Sequence, residues 1–552
     1  MRIDTTRHHT MDASMTRREW IQMGMSSSLL LASGSADAGA QALPNVVEAS
    51  LPELQTAMSS GKLTSLQLVN AYLGRIQVID QTGPRLRSII ALNPEAQAQA
   101  RSLDRERKTS GPRGPLHGIP VLLKDNIATG DRMPTTAGSL ALKGEVAAQD
   151  AFIVRKLRDA GAIILGKTNL SEWANIRSTR STSGWSALGG LTRNPYALNR
   201  NTSGSSSGSA SSMAASLATL AVGTETDGSI TSPAAMASLV GIKPTVGLVS
   251  RSGIIPIAPS QDTAGPMTRT VADAAALLSV LAGTDDQDPS TRDAHRHVHD
   301  YTRFLDRNGL RGQRIGVVRS QFAAQSDLVA KHVEGELAVL RAQGAVLVDV
   351  EEIPNTAKYA ESELTVLLFE LKDSLPKYLA RYAPGARIQN LADVIAFNEQ
   401  NASQELRYFG QELFLMAQAK GDVNSQEYLE ALRNNHTFAR EQGIDRVMAE
   451  HRLDALVAPT GELAWLTDFI RGDASGNSFT SPAAVAGYPH ITVPAGFIRG
   501  LPCGMSFVGQ AWSEPALIAM AYAYEQASRR RRPPPYARAA DKEYTDAAQR
   551  RK

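Results

Sequence analysis

Hydrophobic positions along this chain fall into two kinds of run that alternate. Over 51–80, LPELQTAMSSGKLTSLQLVNAYLGRIQVID, apolar residues recur every three or four positions, the period of a helix, and Thr64 or Ser65 is placed to cap one. At 114–126, GPLHGIPVLLKDN, a turn leads into a short unbroken apolar run, the signature of a buried strand, which ends on Lys124. Residues 150–175 read as helix, strand (162–165) and a new helix. The alternation continues through 203–247 and again at 314–318, 328–343 and 345–350. Residues 101–113 are charged and bounded by Pro and Gly, which predicts a solvated helix end and loop. Helical patterns such as NTAKYAESELTVLLFELKDSLPKYLARY fill the region from about 300 to 450. Sheet-like runs return at 454–459, 491–494 and 504–509, with Pro459, Pro494 and Pro502 at run ends, where strands tolerate proline. A last helix spans about 515–527. The pattern predicts an α/β fold, a sheet covered by helices, without internal repeats.

Composition narrows the function classes. The chain has 552 residues, a length that as a prior alone suggests three or four domains. With 42% hydrophobic and 20% charged residues it reads as a globular protein, and a net charge of +3 is too small to argue for nucleic acid as a partner. The single cysteine, Cys503, excludes an intramolecular disulfide and any multi-cysteine metal site, and is expected in a late strand. His295, His297 and His299 would share one face of a strand, but DDQDPSTRDAHRHVHD is polar, contains proline and reads as a loop. No H-E-x-x-H occurs. No metal is expected.

The N-terminus reads as an address. Thr16-Arg17-Arg18-Glu19-Trp20-Ile21-Gln22 fits the twin-arginine export pattern, followed by a modest apolar stretch at 23–32 and small residues suited to cleavage after Ala38 or Ala40. That stretch is too short and serine-rich for a stable membrane span. Residues 1–40 are therefore expected to be a cleaved export signal. The export machinery is then a transient partner and the location periplasmic or secreted. At the other end, 531–552 is a basic, proline-rich tail, expected to be solvated.

The chemistry concentrates in 199–247. Seven serines between Asn201 and Ser212 would by themselves suit a flexible linker. The tract runs straight into SSMAASLATLAV, whose small and apolar residues suit a helix packed closely on a sheet. A phosphate cradle has little support, because neither a G-K-[ST] ending nor GxGxxG spacing is present. A second turn ends Asp227-Gly228-Ser229. Gly228 permits backbone geometry closed to most residues, and a serine behind converging N–H groups can be a nucleophile beside its own oxyanion hole. Such a serine needs a base, and no histidine lies in this stretch. The nearest polar candidates are the serines of the first turn and Lys124. A lysine ending a buried strand ordinarily snorkels or pairs with a carboxylate such as Asp125; burial would alternatively lower its pKa and leave it partly neutral, able to act as a base. Lys167 is a second candidate base, expected instead at the surface or in a salt bridge. His117 is expected to be structural.

Residues 203–247 together with Lys124-Asp125-Asn126 resemble the amidase signature family. The likeness extends from about 47 to 530 through TGPRLRSIIALNPEA, GKTNLSEWAN, SQDTAGPM, LDALVAPT and AWSEPALIAMAYAYEQ, and is strongest to bacterial peptide amidases. It implies a large twisted mixed β-sheet with helices on both faces. It also implies one catalytic domain over 41–530, with a helical substrate-shaping region around 300–450. Carried onto this chain, it makes Ser229 the nucleophile, Ser205 a bridging serine in a cis peptide and Lys124 the base. Thr226, Asp227 and Gly228 join Ser229 in the oxyanion hole. The 24-residue spacing from Ser205 to Ser229 matches the family. Asp227-Gly228 replaces the family's usual double glycine, as in peptide amidases. Thr231 stands where arginine is usual, and Ser203 and Ser207 where glycines are common. The implied activity is hydrolysis of peptide C-terminal carboxamides to acid and ammonia without a cofactor. A broader amidase for small aliphatic or aryl amides and a noncatalytic exported binding protein are the alternatives. An amidotransferase subunit conflicts with the export signal.

Overall fold

Among the described residues, thirteen strands and the helices between them account for the alternating pattern. The computed structural model describes residues 45–540, so the export segment at 1–40 and residues 541–552 of the tail lie outside the described residues. The strands are β1 (Ile89–Leu92), β2 (Pro120–Lys124), β3 (Ile163–Thr168), β4 (Trp185–Ser186), β5 (Gly190–Leu191), β6 (Leu220–Glu225) and β7 (Val240–Lys243). They continue with β8 (Thr263–Thr268), β9 (Arg314–Val318), β10 (Val346–Val350), β11 (Ala455–Pro459), β12 (His490–Ile498) and β13 (Leu501–Val508). Eleven form one sheet in the order β1-β3-β2-β6-β8-β7-β12-β13-β11-β9-β10, and β4 pairs only with β5.

The sheet is mixed for a local reason at each pair. β2 runs parallel to β3 and β6, and β9 parallel to β10 and β11, because helices connect them. β12 and β13 form an antiparallel hairpin across Arg499-Gly500, both at positive φ (49° and 80°), the conformation that matches strand twist in a two-residue turn. Every residue of β2, β3, β6, β7 and β8 is buried. Side chains alternate between faces along a strand, so complete burial means that both faces are covered.

The structure refines the sequence pattern at several places. β8, TAGPMT, sits between β6 and β7, although glycine and a proline that lacks an N–H weaken its strand signal. The helix expected after β3 is only a single tight turn, Glu172–Asn175, with Trp173 and Ala174 at positive φ. Pro494 lies inside β12 beside a bulge rather than at its end. The first part of the tail is not a solvated end. Arg531 pairs with Glu48 at 2.8 Å and donates to Ser238 O at 2.7 Å, while Tyr536 N donates to Pro195 O and Leu198 N to Ala537 O. Cys503 lies buried in β13. His295 belongs to a 3-10 turn and His297 stacks on Trp512, so the three histidines are not on a strand. Among the described residues no group could hold a metal ion, and no helix is long and apolar enough to cross a membrane.

The helix that follows the serine tract, Ser207–Ala214, positions the site. All eight of its residues are buried, and it packs on β2, β3, β6 and β8. Serine, glycine and alanine allow that approach. A Cβ built on Gly208 would lie 2.4 Å from both Asn169 O and Ser88 O, backbone atoms that cannot swing aside. Gly208→Ala should therefore force the helix off the sheet and lower stability by about 1–3 kcal/mol. A fall in the denaturant midpoint at unchanged slope checks this, and an unchanged midpoint would show that the helix has room to move.

Candidate active site

Three segments distant in sequence meet at the ends of β2 and β6. Lys124 closes β2 and is 0% exposed. Its Nζ lies 2.6 Å from Ser205 Oγ, 2.8 Å from Thr224 Oγ1 and 3.1 Å from Thr224 O. The threonine, on β6, also accepts from Asn126 Nδ2 at 2.9 Å. A neutral amine has two N–H donors and one lone pair. Thr224 supplies acceptors for both donors, which leaves the lone pair to face the Ser205 hydroxyl.

Burial brings the Lys124 pKa from 10.5 down to about 7, because no water solvates the ammonium; the carboxylates of Asp262 and Glu225 pull the other way. Asp125 is not the partner of Lys124. Its carboxylate faces Lys167 at 3.5 Å, and Lys167 also donates to Ile127 O at 2.7 Å and Thr135 Oγ1 at 2.9 Å. Lys167 is thus fully buried in a salt bridge, not at the surface. His117 is buried, with Nε2 3.0 Å from Leu103 O.

Ser205 follows a cis peptide bond from Gly204, and its carbonyl accepts from Ser171 N at 3.1 Å. The next residue joins the two turns, since Ser206 N donates to Ser229 O at 3.1 Å and Ser206 Oγ to Thr224 O at 3.1 Å. Gly228 has φ +73° with Thr480 3.1 Å from where a Cβ would stand, so the turn needs glycine there.

Two carboxylates brace the turn that carries Ser229. Glu225 Oε2 accepts from Ile230 N at 2.7 Å and Thr231 N at 2.9 Å, behind the turn. Asp262 accepts from Thr226 Oγ1 at 2.5 Å and from the N–H groups of Ile257 and Ala258. With the following N–H groups taken by Glu225, those of Thr226, Asp227, Gly228 and Ser229 donate to no described residue. Successive N–H groups left free in one turn form a concavity for a developing oxyanion. The Ser229 hydroxyl, on a residue 7% exposed, likewise has no partner among the described residues. A small recess beneath the serines is lined by Asn126, Ser205, Thr224, Thr226, Arg251 and Asp262. A larger cleft of about 240 Å³ between His332, Glu336, Phe497 and Arg530 contains none of these groups.

The structure thus places Lys124 against Ser205, and Ser206 against Ser229, in one site. Thr224, Glu225 and Asp262 are functional neighbours that the sequence pattern does not single out. The signal for the first two was their place immediately before Thr226-Asp227-Gly228. Asp262 stood in SQDTAGPM without a role of its own.

The chain is similar to known amidases along most of its length. The Amidase family model matches residues 67–518. A protein of Arabidopsis thaliana called a probable amidase is 42% identical over 89% of this chain and 92% of its own. The crystal structure of native peptide amidase from Stenotrophomonas maltophilia superposes with a TM-score of 0.84 at 53% identity, over 89% of this chain and 99% of that one. The crystal structure of an amidase family protein from Bacillus anthracis superposes with a TM-score of 0.81 at 39% identity, over 89% of this chain and 92% of that one.

The electrostatics of the amine are open to direct measurement. Lys124 should titrate near pH 7, far below surface lysines, when followed by ¹³C NMR of labelled lysine side chains. Asp262→Asn removes a charge that favours the ammonium and should lower that midpoint further. A midpoint unchanged or raised would take Asp262 out of the field acting on the amine.

Proposed function

The chain belongs to the amidase family and is an amide-hydrolysing enzyme, and from that premise we propose that it converts peptide C-terminal carboxamides to free acids through an acyl-enzyme on Ser229. The observation that carries the chemistry is the desolvated Lys124 amine 2.6 Å from Ser205 Oγ, beside a turn with free N–H groups. The substrate class is supported by the 53% identity with a peptide amidase over nearly all of that enzyme.

In this mechanism neutral Lys124 takes the Ser205 proton while Ser205 takes that of Ser229. Ser229 Oγ then forms a bond to the carboxamide carbon. Ser229 Oγ needs to donate to Ser205 Oγ at that moment, and catalytic hydrogen bonds of this kind often tighten only in the substrate complex. The carbonyl oxygen becomes an anion held by N–H groups of the 226–229 turn, each such donor contributing about 2.7–4 kcal/mol to the transition state. Collapse breaks the C–N bond, the relay returns its proton to nitrogen, and ammonia leaves. Water attacks the ester by the same route and regenerates Ser229.

Ammonia release from a dipeptide amide, beside a simple aliphatic amide and a substrate with only internal peptide bonds, tests the reading. Rapid release from the dipeptide amide alone supports it, and equal turnover of the aliphatic amide makes this a general amidase. Ser229→Ala and Lys124→Ala should each lower kcat by roughly a thousandfold or more with circular dichroism unchanged. Full activity in either would remove that residue from the mechanism. Because the base works only when neutral, kcat/KM should rise with pH through about 7 and fall on the acid side as Lys124 takes up a proton.

Export belongs to the same reading, on the strength of Thr16-Arg17-Arg18-Glu19. Fractionated cells expressing the full chain should hold the activity outside the cytoplasm. Arg17→Lys with Arg18→Lys should retain it inside, and continued export of that variant would refute the twin-arginine route.

A further inference from the structure

Beside the nucleophile turn, the described residues leave several buried polar atoms without partners. Gln261, 1% exposed, donates from Nε2 to Glu363 Oε1 at 3.0 Å and to Thr226 O at 3.4 Å. The Thr226 carbonyl can only accept, so the amide nitrogen must face it, and Oε1 is the end left without a donor. Asp227 receives Ser481 Oγ on Oδ2 at 2.5 Å, and its Oδ1 is also buried and unpartnered. Tyr359 stands one turn before Glu363 on the helix Thr356–Tyr382, and its buried hydroxyl has no partner either. The charges of Asp227 and Glu363 both act on that hydroxyl, which places it in the same cluster.

We propose that Gln261 Oε1 and Asp227 Oδ1 form an acceptor subsite for the substrate's acyl-side N–H, the donor nearest the carboxamide that is cleaved. The assignment rests on the peptide-amide reading above. Its geometry follows from the turn. Gln261 is bonded to Thr226, and Asp227 belongs to the turn whose N–H groups receive the carbonyl oxygen. In a peptide amide the last backbone N–H is carried by the carbon attached to that carbonyl. With the oxygen in the turn, this N–H lies at the turn's flank. Glu363 is a positioning residue here, since its carboxyl holds the Gln261 amide in the orientation that presents Oε1.

A neutral amide N–H and an α-ammonium are both N–H donors, and the carboxyl pair tells them apart. Burial and the Asp227 charge raise Glu363 to about 8, so the pair keeps one proton at neutral pH. An ammonium would expel that proton on binding, and a neutral N–H would leave it in place.

The test compares kcat/KM for N-acetyl-leucinamide, its N-methyl analogue, the desamino amide of the same length and free leucinamide. Wild type and Gln261→Met, a near-isosteric change without the acceptor, are both assayed. The subsite requires the N–H substrate to exceed the N-methyl analogue by roughly tenfold or more in wild type. It also requires that ratio to fall toward one in Gln261→Met. Equal rates for these two in wild type, with both above the desamino amide, would overturn the subsite and leave the peptide reading standing. A preference for the desamino amide would overturn both. These outcomes are read from wild type alone, so they stand even if the variant fails to fold. Given the N–H advantage, faster turnover of free leucinamide with proton release on binding supports the subsite and identifies an ammonium as its donor. Faster turnover of the acetylated amide supports it with the peptide N–H.

Discussion

A lysine amine held away from water is the constraint on which the rest of this structure depends. Lys124 ends a strand buried on both faces, between β3 and β6, with the Ser207–Ala214 helix laid over the same strands. Desolvation makes the neutral amine accessible near pH 7, and hydrogen bonding then decides where its lone pair points. Thr224 accounts for that direction by occupying both N–H donors. The small residues of the covering helix are part of the same arrangement, because bulkier ones would hold it away from the sheet and admit water.

The buried carboxylates act through the backbone as well as through charge. Glu225 and Asp262 keep some positive character on Lys124, yet each also anchors the Ser229 turn from one side. Burial raises both carboxyl groups, Asp262 to about 6, because neither is solvated by water, and the N–H and O–H groups they accept from offset part of that cost. With these anchors in place, four successive N–H groups of the turn are left without a partner among the described residues.

Much of this was legible from local pattern. Apolar runs located β2, β3, β9 and β11, the second turn and the strand end marked Ser229 and Lys124 as candidates, and the family resemblance singled out Ser205 among the first turn's serines. What stayed hidden depended on partners remote in sequence. Asp125 follows Lys124 directly, but successive strand residues point to opposite faces, and its carboxylate meets Lys167 from the neighbouring strand. β8 contains a glycine and a proline, and only the strands on either side make it a strand. Arg531 looked like part of a solvated basic run until the fold brought Glu48 and the Ser238 carbonyl to it.

The sequence by itself determined the α/β class and the family and pointed to three residues for the proposed chemistry, because each is written in residues close together or in a spacing the family shares. Tertiary structure alone decided which groups surround them. The lowered pKa of Lys124, the bracing of the turn by Asp262, and the contact of Glu363 with Gln261 beside that turn all arise from atoms that the sheet order and the central helices bring together. Desolvation and charge depend on distance through space, and distance through space is what one sequence does not contain.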